Sequence, residues 1–391
     1  MAPRWEARAA LDAHAKPISS LKFSRSGELV ASASADRSIK MWATTELLKQ
    51  QSGGIEASNS AITNGAASLT ALAKPQAALY GHEEGVNDAS WSHDGYYIVS
   101  ASDDKTARIW DVEYSKTLST LGRTSSSMSA FNAHGIAVDT GDPVHSSGAH
   151  GHMGENEGHS GFVFSAQFNP QGSLIVTSSF DETVRFWDVR TGRSVAVLSA
   201  HHEPIVSASF NHDGTLLITA SYDGLARIWD VATRECLRTI ITAPSVPLTH
   251  AQFTPNSQYV LFGTLDSKVR LWDYVRERCL KTYSGHVNKR FCSVASFGKQ
   301  FTGHDALGDM NRNPLLLCGS EDGRVCMWDM QTEQLVEEFK TGAAGQPVIA
   351  VDHHPEKSIV VASSGNVINA WEQTSAGAAD SIVEVPTVQI P

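Results

Sequence analysis

The chain has 391 residues, 41% of them hydrophobic and 19% charged, with 30 Gly and 14 Pro, a balance that suits a large packed core and excludes a disordered chain. Its 31 Lys and Arg against 42 Asp and Glu give a formal charge of -11, which repels phosphate backbones and argues against direct nucleic-acid binding. No apolar run reaches the roughly 20 residues of a membrane-spanning helix, and the opening MAPRWEARAA lacks the apolar stretch of a secretory signal, so neither a membrane nor secretion is expected. Cys236, Cys279, Cys292, Cys318 and Cys326 form no C-x-x-C pair. That argues against a disulfide framework and a structural zinc site and fits a reducing compartment, nucleus or cytosol.

In chain order, segment 5–11 is strand-like but has no unit of its own, and from His14 onward a pattern repeats. His14, Asp36 and Trp42 are followed by His82, Asp104 and Trp110, by His159, Asp181 and Trp187, and by His201, Asp223 and Trp229. In all four, Asp follows His by 22 residues and Trp follows Asp by six. The fifth unit carries Pro244 at the His position and ends at Trp272, the sixth keeps His286, Asp322 and Trp328, and the seventh retains only Trp371. Between these anchors, runs such as GSLIVTSS, TVRFWDV and TLLITAS alternate with period two, which predicts short strands split by Asp-Gly or Asp-Glu turns. Two residues before each turn Asp stands a hydroxyl, Ser34, Ser102, Ser179, Ser221, Thr264 or Ser320. Hydroxyl, imidazole, carboxylate and indole at fixed offsets predict a buried hydrogen-bond chain, so these Ser, His and Asp residues read as scaffold rather than as catalysts.

The Trp-to-Trp intervals of 68, 77 and 56 residues exceed a repeat of about 40 to 45. They predict inserted loops at about 44–76, with a helix-capable TELLKQQ, at 122–158 and at 298–314. The second carries His134, His145, His150 and His152, read as a solvated loop rather than a metal site. No G-x-G-x-x-G, P-loop, H-E-x-x-H or G-x-S-x-G is present, so no cofactor and no catalysis are expected.

The repeated Trp-Asp pairs, at Trp110, Trp187, Trp229, Trp272 and Trp328, resemble the WD-repeat family. That resemblance implies an all-β, seven-bladed propeller over residues 1–372, segment 5–11 closing blade seven, with a flexible tail over 373–391. In such a blade the connection into the first strand and the turn between the middle strands share one face. Five residues after the repeat His stand Ser19, Asn87, Phe164, Val206 and Phe291, with Thr249 counted from Pro244; just before each turn Asp stand Ala35, Asp103, Phe180, Tyr222, Leu265 and Glu321. Residue type changes here while neighbours stay fixed, which marks individual use. Phe164, Phe180, Tyr222 and Phe291 around Asp103 and Glu321 suit a cation, and a guanidinium above all.

The stretches GVNDASWSHDGYYIVSASDDKTARIWDV, FNPQGSLIVTSSFDETVRFWDVRTG, FNHDGTLLITASYDGLARIWD and WDYVRERCLKTYSGH resemble, more narrowly, the WD-repeat adaptor of histone-three lysine-four methyltransferase complexes of COMPASS and MLL type, over residues 11 to 372. This implies a non-catalytic scaffold of the nucleus, with the cytoplasm a second location. Its implied partners are the histone-three N-terminal tail, a SET-domain methyltransferase subunit engaged through an arginine motif, and a scaffold subunit of the same complex. The resemblance places Asp103 beside the peptide backbone or amine and Phe164 as one wall of an arginine slot, with Ser19, Ala35, Asn87, Phe180, Tyr222, Phe291 and Cys292 as the remaining lining. On the opposite face it implies a scaffold-subunit site at Asn256, Tyr259, Leu271 and Lys281. Three positions depart from the pattern: Val294 replaces a second stacking ring, Asn87 a hydroxyl and Val206 a small polar residue. The alternative function, a substrate receptor of a cullin-type ubiquitin ligase, rests on the short WDVR box from Trp187 to Arg190.

Overall fold

The computed structural model describes residues 4–49, 74–122, 128–131, 137–139, 158–242, 246–304, 310–341 and 345–374. The period-two runs pair as seven four-stranded antiparallel sheets, the blades of a propeller. In blade one Ile18–Phe23, Leu29–Ser34, Ser38–Ala43 and Ala77–Tyr80 follow in order from the central channel to the rim. Blade seven is assembled from both ends of the described chain: Val351–His353, Ile359–Ser364 and Val367–Thr374 take Arg4–Asp12 as their outermost strand. Its pairing runs from Arg4 opposite Thr374 to Asp12 opposite Val367, and Arg8 donates to Glu372 at 3.0 Å. Gln373 and Thr374, expected in the flexible tail, are rungs of this ladder; residues 375–391 lie outside the described residues.

The apolar core lies between blades rather than within them. One cluster joins Val99, Ile109 and Leu121 of blade two to Val163, Phe168 and Trp187 of blade three, and equivalent clusters fill the other junctions. The second strand of each blade is therefore covered on both faces, as in Tyr97–Ser102, where every residue is buried.

Within blades one to four the repeat residues form one directed chain. In blade two Trp110 Nε1 donates to Ser100 Oγ at 2.8 Å, Ser100 lies 2.7 Å from His82 Nε2, and His82 Nδ1 lies 2.7 Å from Asp104. The same chain runs through Ser32, Thr177 and Thr219 in blades one, three and four. Burial is the largest influence on His14, His82 and His159 and lowers each below 6.5. Burial would raise Asp36, but hydrogen bonds from Ser38 and the adjoining His14 outweigh it and bring it down to about 2. A neutral imidazole donating from Nδ1 to an ionised carboxylate, and accepting the hydroxyl proton at Nε2, satisfies every member.

Several expectations are corrected. The hydroxyl in the chain is four residues before the turn Asp, not two; Ser34 instead accepts from the Asp36 amide and donates to the Pro17 carbonyl, stapling the turn to the loop entering its blade. In blade six the chain does not assemble. Cys318 stands where the hydroxyl should be, Arg324 draws Asp322 to itself at 2.6 Å, and Trp328 donates to the Ser284 carbonyl. Both ring nitrogens of His286 are buried without a hydrogen-bond partner among the described residues. Blade five, lacking the His, uses the Arg270 guanidinium to hold Asp266 and Thr264.

The insertions are not simply loops. Thr44–Lys49 is a helix whose Leu47 is buried against Leu11 and Trp42. Met128–Phe131 pairs with Ala137–Asp139, and a Cβ on Gly158 would fall 2.5 Å from the Gly122 Cα, so this insertion leaves and rejoins the blade at one point. The segment 298–314 is largely a lengthened hairpin: Ala295–His304 pairs with Met310–Gly319 up to His304 opposite Met310. Composition is blind to such pairing because the ladder is made by backbone groups. His134, His145, His150 and His152 lie outside the described residues.

Two outcomes follow for stability. Ser100→Ala strands a buried indole N–H and an imidazole nitrogen and costs about 1–3 kcal/mol, whereas His286→Leu removes two unpaired nitrogens and leaves the melting temperature equal or higher; calorimetry showing equal losses contradicts the contrast. Because folded His14, His82 and His159 sit below 6.5 and Asp36 below 3.8, the unfolded chain takes up protons first as pH falls. Stability is therefore complete above about pH 7 and declines steadily from pH 6.5 toward pH 2. A melting temperature that is flat or rises between pH 7 and 5 refutes this.

Candidate functional site

The first strands of the blades surround a channel enclosing about 840 Å³. In blades one to five the first strand slips register at one residue, between Ile18 and Ser20, Val86 and Asp88, Val163 and Ser165, Ile205 and Ser207, and Leu248 and His250. The bulged residues are Ser19, Asn87, Phe164, Val206 and Thr249, and all five line the channel. A bulge re-aims a side chain out of the pleat, here toward the mouth. The second ring is brought alongside by one backbone hydrogen bond per blade. Ala35, Asp103, Phe180, Tyr222 and Leu265 donate to the carbonyls of Pro17, Gly85, Phe162, Pro204 and Pro247, each two residues before the bulge.

The bond places Asn87 against Asp103, Nδ2 to Oδ1 at 2.7 Å, and packs Phe164 edge-on to Phe180 at 6.3 Å. Phe162 adds a third ring 6.0 Å from Phe180, and both are about half exposed. Tyr222 reaches past blade five, its hydroxyl 3.2 Å from Cys292 Sγ; burial foremost, with the adjacent sulfur, pushes the phenol up, and burial pushes the Cys292 thiol up. Both side chains are neutral at physiological pH.

Two members are partly committed to the scaffold. Ser19 Oγ donates to carbonyls of its own and the next blade, and Asn87 Nδ2 also donates to the Val163 carbonyl at 2.9 Å. Glu321, grouped by sequence with Asp103 as a ligand carboxylate, is turned to the backbone instead: one oxygen accepts the amides of Lys289, Arg290 and Phe291 at 2.7, 2.5 and 3.0 Å. Burial would raise it, but these amides prevail and lower it. Blade six thus presents Phe291 on a wrapped loop rather than a bulge. Val206 and Val294 line the channel, with Cys292 between Tyr222 and the core.

On the other face Asn256 and Tyr259 share a hairpin, with Asn256 Oδ1 accepting from Thr254 at 2.6 Å. Leu271 and Lys281 are paired neighbours, but Leu271 is buried and Lys281 Nζ holds the carbonyls of Met330 and Gln331 in blade six. This set is a blade junction, with Asn256 its exposed member. In the WDVR box Trp187 belongs to the buried chain and Asp188 caps Thr191, which leaves Arg190 as the exposed residue.

The profile of the WD domain, G-beta repeat, matches residues 5–43, 73–111, 152–188, 192–230, 234–273 and 277–329, well over half of the chain. The chain belongs to that family. Among its relatives is a subunit of Chromatin assembly factor 1 from Gallus gallus, 27% identical over 46% of this chain and 25% of the relative. COMPASS component SWD3 of Saccharomyces cerevisiae is 27% identical over 34% of this chain and 30% of the relative. Ribosome biogenesis protein WDR12 homolog of Arabidopsis thaliana is 25% identical over 50% and 47%. The chain thus spans less than half the length of each of these relatives. WD-repeat propellers generally serve as non-catalytic scaffolds that bind partner proteins.

Glu321→Ala should free the loop it wraps. Amide exchange at Arg290 and Phe291 is expected to quicken at least tenfold with the melting temperature nearly unchanged; unaltered exchange contradicts the carboxylate's role.

Proposed function

We propose that this WD-repeat protein is a nuclear, non-catalytic scaffold of a histone-three lysine-four methyltransferase complex that grips arginine-containing peptides at the channel mouth. The observation that carries the reading is the bulge-aimed ring of Phe164 in blade three, joined to the carboxylate Asp103 of blade two through Asn87, which bonds both Asp103 and the Val163 carbonyl. A guanidinium lays its face on an aromatic ring while its edge or a neighbouring amine meets the carboxylate. Asp103 Oδ1 is taken by Asn87, and its other oxygen serves the peptide. The similarity to a COMPASS component and to a chromatin assembly factor supports the assignment. The partners would be the histone-three tail or an arginine motif of the methyltransferase subunit, with a scaffold subunit on the face of Asn256 and Tyr259.

The slot differs from a two-ring sandwich because Val294 supplies no second face. Phe291 and the Tyr222 to Cys292 contact close that side instead. The test is fluorescence anisotropy with a histone-three N-terminal peptide and with its version in which the second-residue arginine is alanine. Micromolar or tighter binding is expected for the first alone. Phe164→Ala and Asp103→Ala should each cost about 2–4 kcal/mol with the fold intact, and Val294→Phe should tighten binding severalfold. Equal affinity for the two peptides, or for wild type and both alanine variants, refutes the assignment.

A further inference from the structure

We propose that segment 382–390 of this chain adds as a third strand to the hairpin arm of blade six, on the face away from the mouth. The arm is the part of Ala295–His304 and Met310–Gly319 that outruns its blade. These two strands pair as far as His304 opposite Met310, whereas Arg324–Asp329, the next strand of the sheet, reaches only Leu315. Beyond that point no strand among the described residues pairs with either outer edge of the arm. A free edge is a row of unpaired backbone donors and acceptors, which natural proteins blunt or cover. The edge along 299–304 contains no proline, while the other is closed at its root by Pro314, so the first is the one on offer.

Position, composition and size name the occupant. Val367–Thr374 runs from Asn366, whose side chain holds the His14 carbonyl on the mouth side, to Thr374 on the face of the arm. The arm leans on the same blade seven: a Cβ on Gly298 would fall 2.7 Å from the His353 imidazole, in the first strand of that blade. From this strand to Val367–Thr374 is two strand spacings, about 10 Å, and the stretch 375–381, SAGAADS, spans about 23–25 Å when extended. In 382–390, Ile382, Val383, Val385, Thr387, Val388 and Ile390 are β-branched, the residue type that favours strands, and Pro386 confines such a strand to an edge. Asp380 and Glu384 face an arm whose positions 298–304 and 310–314 carry Lys299 and Arg312 and no carboxylate. One short added strand buries far less than the roughly 1,200 Å² of a stable complex between separate chains, whereas a segment on so short a tether meets the edge at about millimolar effective concentration. The chain thus covers its own edge, and without this cover the arm would capture strands of other chains. The proposal is independent of the arginine reading, whose residues lie at the other end of the channel.

The test is hydrogen exchange of the full chain, wild type against the double variant Val385→Pro, Thr387→Pro, which removes two donors from the segment and touches no blade. In wild type the alternate amides of 299–304 that point away from Met310–Gly319 should exchange about tenfold slower than in the variant, and amides within 382–390 should share that protection. Asp380→Lys with Glu384→Lys should lose part of the protection, and adding Lys299→Glu and Arg312→Glu should restore it. Equally fast exchange of 299–304 in wild type and the proline variant overturns the proposal. So does protection of 299–304 that fades on dilution while 382–390 exchanges freely, which would assign the edge to a second copy of the chain.

Discussion

The directed hydrogen-bond chain from indole to hydroxyl to imidazole to carboxylate is the constraint on which the first four blades depend. It ties the third strand, the second strand, the incoming loop and the turn of each blade at one buried point, as Trp110, Ser100, His82 and Asp104 do in blade two. Fixing the incoming loop against the turn sets the two rings of residues at the mouth side by side. The functional surface is thus a by-product of how each blade is held together. Blades five and six, which lack the full chain, are held by Arg270 and by Arg324 instead.

The mouth then draws its diversity from positions that the scaffold leaves unused. A bulge places one residue per blade at the channel outside the ladder, which resumes one residue out of register beyond it, so Ser19, Asn87, Phe164, Val206 and Thr249 differ freely. Blade six departs from this plan. Its carboxylate is turned inward to wrap a loop, and the loop supplies Phe291. Blades two and three supply the ligand carboxylate and further aromatic faces, which gives the mouth an asymmetry that a ring of identical repeats would lack.

Much of this is legible in the sequence because the spacing is rigid. His to Asp by 22 residues and Asp to Trp by six repeat four times, and the same offsets locate Phe164, Phe180, Asp103 and Asn87, which the structure brings together. What is not legible depends on geometry that residue type does not record. Through blades one to four a hydroxyl recurs at both the Ser32 and the Ser34 position, on the same face of the strand, and only their distance along it decides that Ser32 meets the imidazole while Ser34 meets the incoming loop. Glu321 has the residue type of a second ligand carboxylate, and only its amide partners show otherwise. The extended hairpin from Ala295 to Gly319 is hidden because its pairing lies in the backbone, and blade six keeps His286 and the six-residue step from Asp322 to Trp328 although the imidazole has lost its partners.

The central claim, that a peptide is gripped through arginine at the mouth formed by blades two, three and six, is tested most directly by hydrogen exchange of the full chain with and without saturating arginine peptide. The account predicts slowed exchange confined to the loops around Asn87, around Phe162 to Ser165 and around Lys289 to Cys292. Protection confined to the hairpin of Asn256 and Tyr259 and the strand of Lys281, with the mouth unchanged, would contradict it.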